Sequence, residues 1–134
     1  MTFDKFTIKA QEAVQEAVNT ATRNGQQIVE PVHLLKGVMT KAKDVSSYIF
    51  RKLGANANQI ETVLDSEIAR LPKVQGGQPY LSNSASEVLQ KATDISQKMG
   101  DEFVSVEPLM LALLTVNSTA SRIMKDAGLT ENDM

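Results

Sequence analysis

Displaced by 75 positions, the chain matches itself. Residues 7–40 align with 82–115 without a gap, and eight pairs are identical: Ala10/Ala85, Glu12/Glu87, Gln15/Gln90, Ala17/Ala92, Gly25/Gly100, Val29/Val104, Leu34/Leu109 and Thr40/Thr115. Unrelated stretches of average composition would share about two. Thr7/Ser82, Val14/Leu89, Arg23/Lys98, Ile28/Phe103 and Val38/Leu113 add conservative pairs. After one deletion the offset becomes 74, where Ile49/Ile123, Gly54/Gly128 and Asn58/Asn132 agree. The match repeats helix-capping positions and glycine stops as well as hydrophobicity, so one structural unit occurs twice.

The unit is helical. Ala10, Ala13, Val14, Ala17, Val18 and Ala21 recur at three- and four-residue steps, which predicts a helix from about Thr7 to Arg23. Thr7 caps it, because its hydroxyl can take a free N–H of the first turn, and Gly25 ends it. A second helix begins at Glu30-Pro31, since proline suits a first helical position and an acidic residue suits the N-terminal dipole. A third covers Asp44 to Lys52. A fourth, on Ile60, Val63, Leu64, Ile68 and Leu71, covers about Asn56 to Arg70. No stretch alternates with period two, so strands are not expected. Residues 72–79 hold two prolines and two glycines and form a linker.

The organisation expected is therefore all-α: two pseudo-twofold-related four-helix repeats, 1–71 and 81–134, joined by a linker at 72–80. The counterpart of the fourth helix begins only near Thr130. One turn cannot bury an amphipathic stripe, so the native chain is expected to continue past Met134 with its last helix truncated here.

Composition narrows the chemistry. The 134 residues carry 14 Lys+Arg against 16 Asp+Glu, for a formal charge of −2, which argues against a nucleic-acid binder. With no Cys and one His, thiolate and multi-histidine metal sites are excluded. The opening Met-Thr-Phe-Asp-Lys-Phe has no apolar core after a basic start, so no signal peptide is expected, and no apolar run reaches the ~20 residues that span a bilayer. A cytoplasmic protein with no membrane partner is expected. No phosphate-binding glycine pattern occurs, as Gly76-Gly77 runs into Gln-Pro-Tyr. His33 lies in an apolar helical stretch, where a satisfied or capping histidine outweighs a catalytic one. Asp65/Glu67 and Asp101/Glu102 are too close in sequence to face each other. No catalytic residue and no cofactor or metal site is expected, and the chain is not expected to be an enzyme.

What remains is surface. Two packed repeats leave a groove at their junction, with Val88, Leu89 and Leu109 as expected apolar walls and Thr7, Asp101 and Glu107 as polar markers at its edge. No long apolar seam is left for a coiled coil, so an isolated monomer is expected.

Several segments carry a family resemblance. Phe6-Thr7-Ile8-Lys9-Ala10-Gln11-Glu12-Ala13-Val14, Glu30-Pro31-Val32-His33-Leu34-Leu35, Arg70-Leu71-Pro72-Lys73-Val74, Tyr80-Leu81-Ser82 and Gly100-Asp101-Glu102-Phe103-Val104-Ser105-Val106-Glu107 resemble the double Clp-N repeat. The connector and the Tyr-Leu-Ser that follows it are similar to the amino-terminal domains of ClpB-type AAA+ disaggregases. The resemblance implies a mobile, non-catalytic module that engages exposed apolar segments of unfolded or aggregated polypeptides and helps deliver them to a hexamer's pore. It implies a homohexameric full-length protein using ATP and magnesium in downstream modules and cooperating with an Hsp70-type system. Substrate-binding roles carry over to Thr7, Asp101 and Glu107, with Leu89 and Leu109 lining the groove. The other branch of the resemblance implies an adaptor-docking domain, as in ClpA- and ClpC-type unfoldases that feed a protease. Pro108 departs from the pattern, standing where relatives commonly place a His or an apolar residue, and is expected to remove one side chain from the groove lining.

Overall fold

The computed structural model describes residues 3–130. Helix α1 spans Ile8–Arg23, α2 Pro31–Lys41, α3 Lys43–Lys52 and α4 Ala57–Ala69. The second copy supplies α5 (Asn83–Lys98), α6 (Val106–Thr115) and α7 (Thr119–Asp126). Both ends of α5 lie 75 residues beyond those of α1, α6 starts 75 beyond α2, and α7 ends 74 beyond α3. The all-α class is as the periodicity predicts. The truncated last helix falls outside the described residues.

Local chemistry explains why the copies share their limits. The Thr7 hydroxyl accepts from Ala10 N–H at 3.2 Å, and its counterpart Ser82 accepts from Ala85 N–H at 3.0 Å. Each cap satisfies a first-turn donor that has no partner within the helix. After α1 and α5 the chain turns through Gly25 (φ 70°) and Gly100 (φ 77°), a left-handed conformation that costs glycine little. Asn56 caps α4 by accepting from Gln59 N–H at 3.1 Å.

The absence of strands is corrected in a small way. Ile28–Val29 (β1) pairs in parallel with Tyr80–Leu81 (β2), and Phe6 forms a parallel bridge to Val104. Strands of two residues have no periodicity to betray them. Their arrangement is reciprocal: the segment leading into α1 pairs with the turn of the second copy, and the segment leading into α5 pairs with the turn of the first. Thr7 N–H donates to Val104 at 2.9 Å and Ser82 N–H donates to Val29 at 3.0 Å. The pseudo-twofold is therefore present in the hydrogen bonds.

A single core runs across both copies. It holds Ala10, Ala13 and Ala17 of α1, Leu34 and Leu35 of α2, Leu64 of α4, Leu89 of α5, and Leu109 and Leu113 of α6. Helix α2 packs on α1 at Gly37, where a Cβ would collide with the Ala13 carbonyl oxygen. Small residues on that face of α1 let the two backbones approach this closely.

Candidate binding surface

A mainly apolar hollow of about 360 Å³ lies where the copies meet, between α3 of the first and α5 and α6 of the second. From α3 it takes Val45, Tyr48, Ile49 and Leu53, spaced three, one and four residues apart so that they share a helix face. Ile95 and Met99 come from the end of α5, and Pro108 and Leu111 from the start of α6. Carboxylates of Asp44 and Glu107 and the ammonium of Lys52 edge it. That ammonium stands 5.8 Å from the centre of the Tyr48 ring, within cation–π range.

Of the six residues expected at the junction, only Glu107 lines this hollow. The placement of Val88, Leu89 and Leu109 as groove walls is corrected: each has 0% exposure and belongs to the core. Their helices bury these three residues in the cluster shared by both copies and turn Ile95, Pro108 and Leu111 to the hollow. Pro108 is corrected too, because its ring lines the hollow. At the third position of α6 it gives up an N–H that has no acceptor in the helix.

Thr7, Asp101 and Glu107 each lie within three residues in sequence of a partner in the Phe6–Val104 bridge. Thr7 follows one bridge partner, while exposed Asp101 and Glu107 lie three residues either side of the other. Two apolar side chains near the same bridge are open to solvent: Ile8 is 77% exposed and Phe103 44%. An aliphatic residue so exposed is not accounted for by core packing, which makes the surface around this bridge the second candidate. Neither Ile8 nor Phe103 emerges from helical periodicity. The signal was that Ile8 begins α1 outside its alanine stripe.

The remaining polar chemistry is structural. His33 Nδ1 accepts from Glu30 N–H at 2.8 Å, Nε2 meets Gln26 Oε1 at 2.7 Å, and Gln26 Nε2 donates to the Ile68 carbonyl at 2.6 Å. Burial pushes the imidazole down to about 4, so the ring is neutral and caps α2. Glu16 is buried beside Arg23 Nη2 at 2.6 Å, and that hydrogen bond holds its carboxyl below the usual range against the opposing effect of burial. Among the described residues no group of three or more His, Asp or Glu could hold a metal ion, and no helix is long and apolar enough to cross a membrane.

Comparison with known proteins agrees with this geometry. Residues 5–127 match the family described as Clp repeat (R) N-terminal domain. The chain is 58% identical over 134 residues to the chaperone protein ClpB of Bacteroides thetaiotaomicron, covering 100% of this chain and 16% of that protein. It is 47% identical over 131 residues to ClpB of Porphyromonas gingivalis, covering 98% and 15%. The chain thus spans about 16% of the length of the curated relatives it matches. The Hsp104 N-terminal domain from Candida albicans superposes with a TM-score of 0.83 at 22% identity, covering 97% of this chain and 86% of that one. A ClpV N-domain solved in complex with a VipB peptide superposes with a TM-score of 0.80 at 17% identity, covering 98% and 82%. These two likenesses are of fold.

Proposed function

The chain belongs to the Clp repeat (R) N-terminal domain family, and on that premise we propose that it is the client-recognition module of a ClpB-type disaggregase. It holds exposed apolar segments of unfolded or aggregated polypeptides so that the rest of the protein can act on them. On the same reading, the longer protein is a cytoplasmic, ATP- and magnesium-dependent homohexamer that works with an Hsp70-type system, and this module alone is a monomer. The observation that carries the reading is the surface around the bridge, where Ile8 and Phe103 stand open to solvent within two residues of the bridge partners and exposed Asp101 and Glu107 within three. A peptide bound to a ClpV N-domain of the same fold supports a segment as the ligand.

The physical chemistry suits the task. Unfolded clients differ in sequence, so capture must depend on apolar area with little directional bonding. At ~25 cal/mol per Å² of apolar area removed from water, less ordering costs, two exposed side chains give weak and reversible binding. Carboxylates at the edge favour cationic segments and lose that preference as salt rises. Several modules on one assembly restore avidity.

Titration of the isotopically labelled chain with a permanently unfolded apolar polypeptide, followed by NMR, tests this. Shifts at Ile8, Phe103, Asp101 and Glu107 are expected, smaller in Glu107→Lys and in high salt, and none with a natively folded control. Silence with the unfolded chain overturns the reading. Shifts produced by one folded partner alone turn it into adaptor docking.

A further inference from the structure

The short strands leave main-chain groups to spare. Tyr80 N–H donates to the Gln27 carbonyl at 3.0 Å and Ser82 N–H to the Val29 carbonyl at 3.0 Å. In this parallel pair the peptide groups of Val29 face β2, and those of Ile28, one residue earlier, face the other way. Among the described residues neither the N–H nor the C=O of Ile28 has a hydrogen-bond partner. The offset of 75 takes Ile28 to Phe103, where the arrangement recurs. Val104 N–H donates to Lys5 at 2.7 Å, its carbonyl accepts from Thr7 at 2.9 Å, and the peptide groups of Phe103 have no partner among the described residues. Each copy thus carries an open strand edge at an exposed apolar residue. The opposite edges are different: Phe6 is closed by Phe3 at 3.0 Å and by Gln11 Nε2 at 2.9 Å, and Leu81 packs its side chain against the core.

We propose that the Ile28 edge is a second client seat, which takes an extended, uncharged apolar segment as an added strand alongside β1. Ile28 and Tyr80 are register partners, 38% and 52% exposed, so their side chains offer apolar surface on one side of the strand pair. An incoming antiparallel strand meets the N–H and C=O of Ile28 with its own C=O and N–H and lays an apolar side chain against this pair.

Charge separates the two edges. Residues 101–107 include Asp101, Glu102 and Glu107, whose matching positions hold Gln26, Gln27 and Val32, and Glu30 is the one carboxylate in the span 26–32. Lys5 stands in register with Phe103 where Tyr80 stands with Ile28. Cationic segments therefore favour the Phe103 edge, and segments without charge the Ile28 edge. The Ile28 edge is also held in shape before a client arrives, because the linker is strapped across the turn after α1. Val74 N–H donates to the Gly25 carbonyl at 2.9 Å, Lys73 Nζ to the Asn24 carbonyl at 2.9 Å, and Gln27 Nε2 to the Gln78 carbonyl at 3.2 Å. An edge already ordered adds a strand at a smaller entropic cost.

This proposal deepens the client reading and rests on it. The labelled chain is titrated, with NMR detection, with an end-capped hexapeptide of alternating valine and threonine, in low and high salt. Two further probes are the same peptide N-methylated at every bond, which keeps the side chains and loses the donors, and a form with lysine in place of threonine. The neutral peptide is expected to shift the Ile28 and Tyr80 amides equally in both salts and to slow hydrogen exchange at Ile28. N-methylation is expected to weaken binding about tenfold, and the lysine form to move to Phe103 and respond to salt. Ile28→Thr, which keeps a strand-forming residue and removes apolar area, is expected to weaken binding at that edge severalfold and leave the Phe103 shifts unchanged. Shifts at Ile8 and Phe103 with the Ile28 amide unmoved overturn the second seat and leave the client reading standing. Silence from all peptides at both edges overturns both. Equal affinity for the N-methylated peptide overturns strand addition. An Ile28 shift that follows protein concentration without peptide makes the occupant a second copy of this chain and overturns the proposal too.

Discussion

The imidazole of His33 is fully buried, with each ring nitrogen committed to a hydrogen bond. Since Nδ1 accepts from the Glu30 N–H, the single proton of the neutral ring sits on Nε2 and is donated to Gln26. A second proton would have to displace the Glu30 bond at a fully buried ring, which is why burial lowers the pKa from 6.5 to about 4. Between those two values the unfolded chain binds a proton that the folded chain does not. Stability therefore falls as pH falls through that window, by about 1.4 kcal/mol per pH unit. Glu16 acts lower down: its folded carboxyl is held below 4.5, so its contribution is present above that value and lost as pH drops through the folded pKa. Urea unfolding at pH 7 and pH 5 separates the two. His33→Gln is expected to flatten the dependence in that window, and an unchanged slope would show that His33 does not titrate on unfolding. That His33 is satisfied within the fold or caps a helix, and is not catalytic, was legible from its place on an apolar helix. Its tie to Gln26 and through it to Ile68, 42 residues beyond Gln26, was not, because nothing local in sequence records a contact at that separation.

At the scale of elements, helix limits were legible because the groups that set them are neighbours in sequence: Thr7 and Ala10, Ser82 and Ala85, Gly25 after α1. The strands were not, because β1 and β2 exist only where distant segments cross. The candidate site divides the same way. Glu107 was legible as a charged residue in the first turn of a helix at the junction. Val88, Leu89 and Leu109 were placed wrongly because periodicity identifies an apolar stripe without saying which neighbour it meets. The packing of α1 on α2 gives a direct test of such long-range geometry. Alanine has a helix propensity about 1 kcal/mol better than glycine, so at an open position Gly37→Ala would stabilise α2. Here its Cβ would strike the Ala13 carbonyl, part of a backbone that moves only if the helices separate. Overpacking of this kind costs ~1–3 kcal/mol and outweighs the propensity gain. Gly37→Ala is expected to lower the urea midpoint with helicity retained, and a rise would mean that α1 and α2 can separate cheaply. The twin position is Ala112, so in the second copy the methyl group is accommodated, with Val88 standing where Ala13 does.

Across the whole molecule, neither copy closes on itself. The turn after α1 is completed by Tyr80–Leu81 from the lead-in to α5, and the turn after α5 by Phe6 from the lead-in to α1. Beneath these exchanges the apolar residues of both copies form one cluster, with Leu34 and Leu35 of α2 in the same core as Leu109 and Leu113 of α6. Separating the copies would expose that shared core and break both sets of backbone hydrogen bonds together. The repeats are therefore expected to unfold as one unit, with calorimetric and van't Hoff enthalpies equal. Leu109→Ala tests this from one side only. Removing a fully buried leucine costs ~2–5 kcal/mol, and if the copies are coupled the loss is felt equally in both. Amide signals of α1 and α5 should then disappear at the same, lowered temperature. Loss of α5 signals ahead of α1 would mean that the reciprocal pairing aligns the copies without binding their stabilities together.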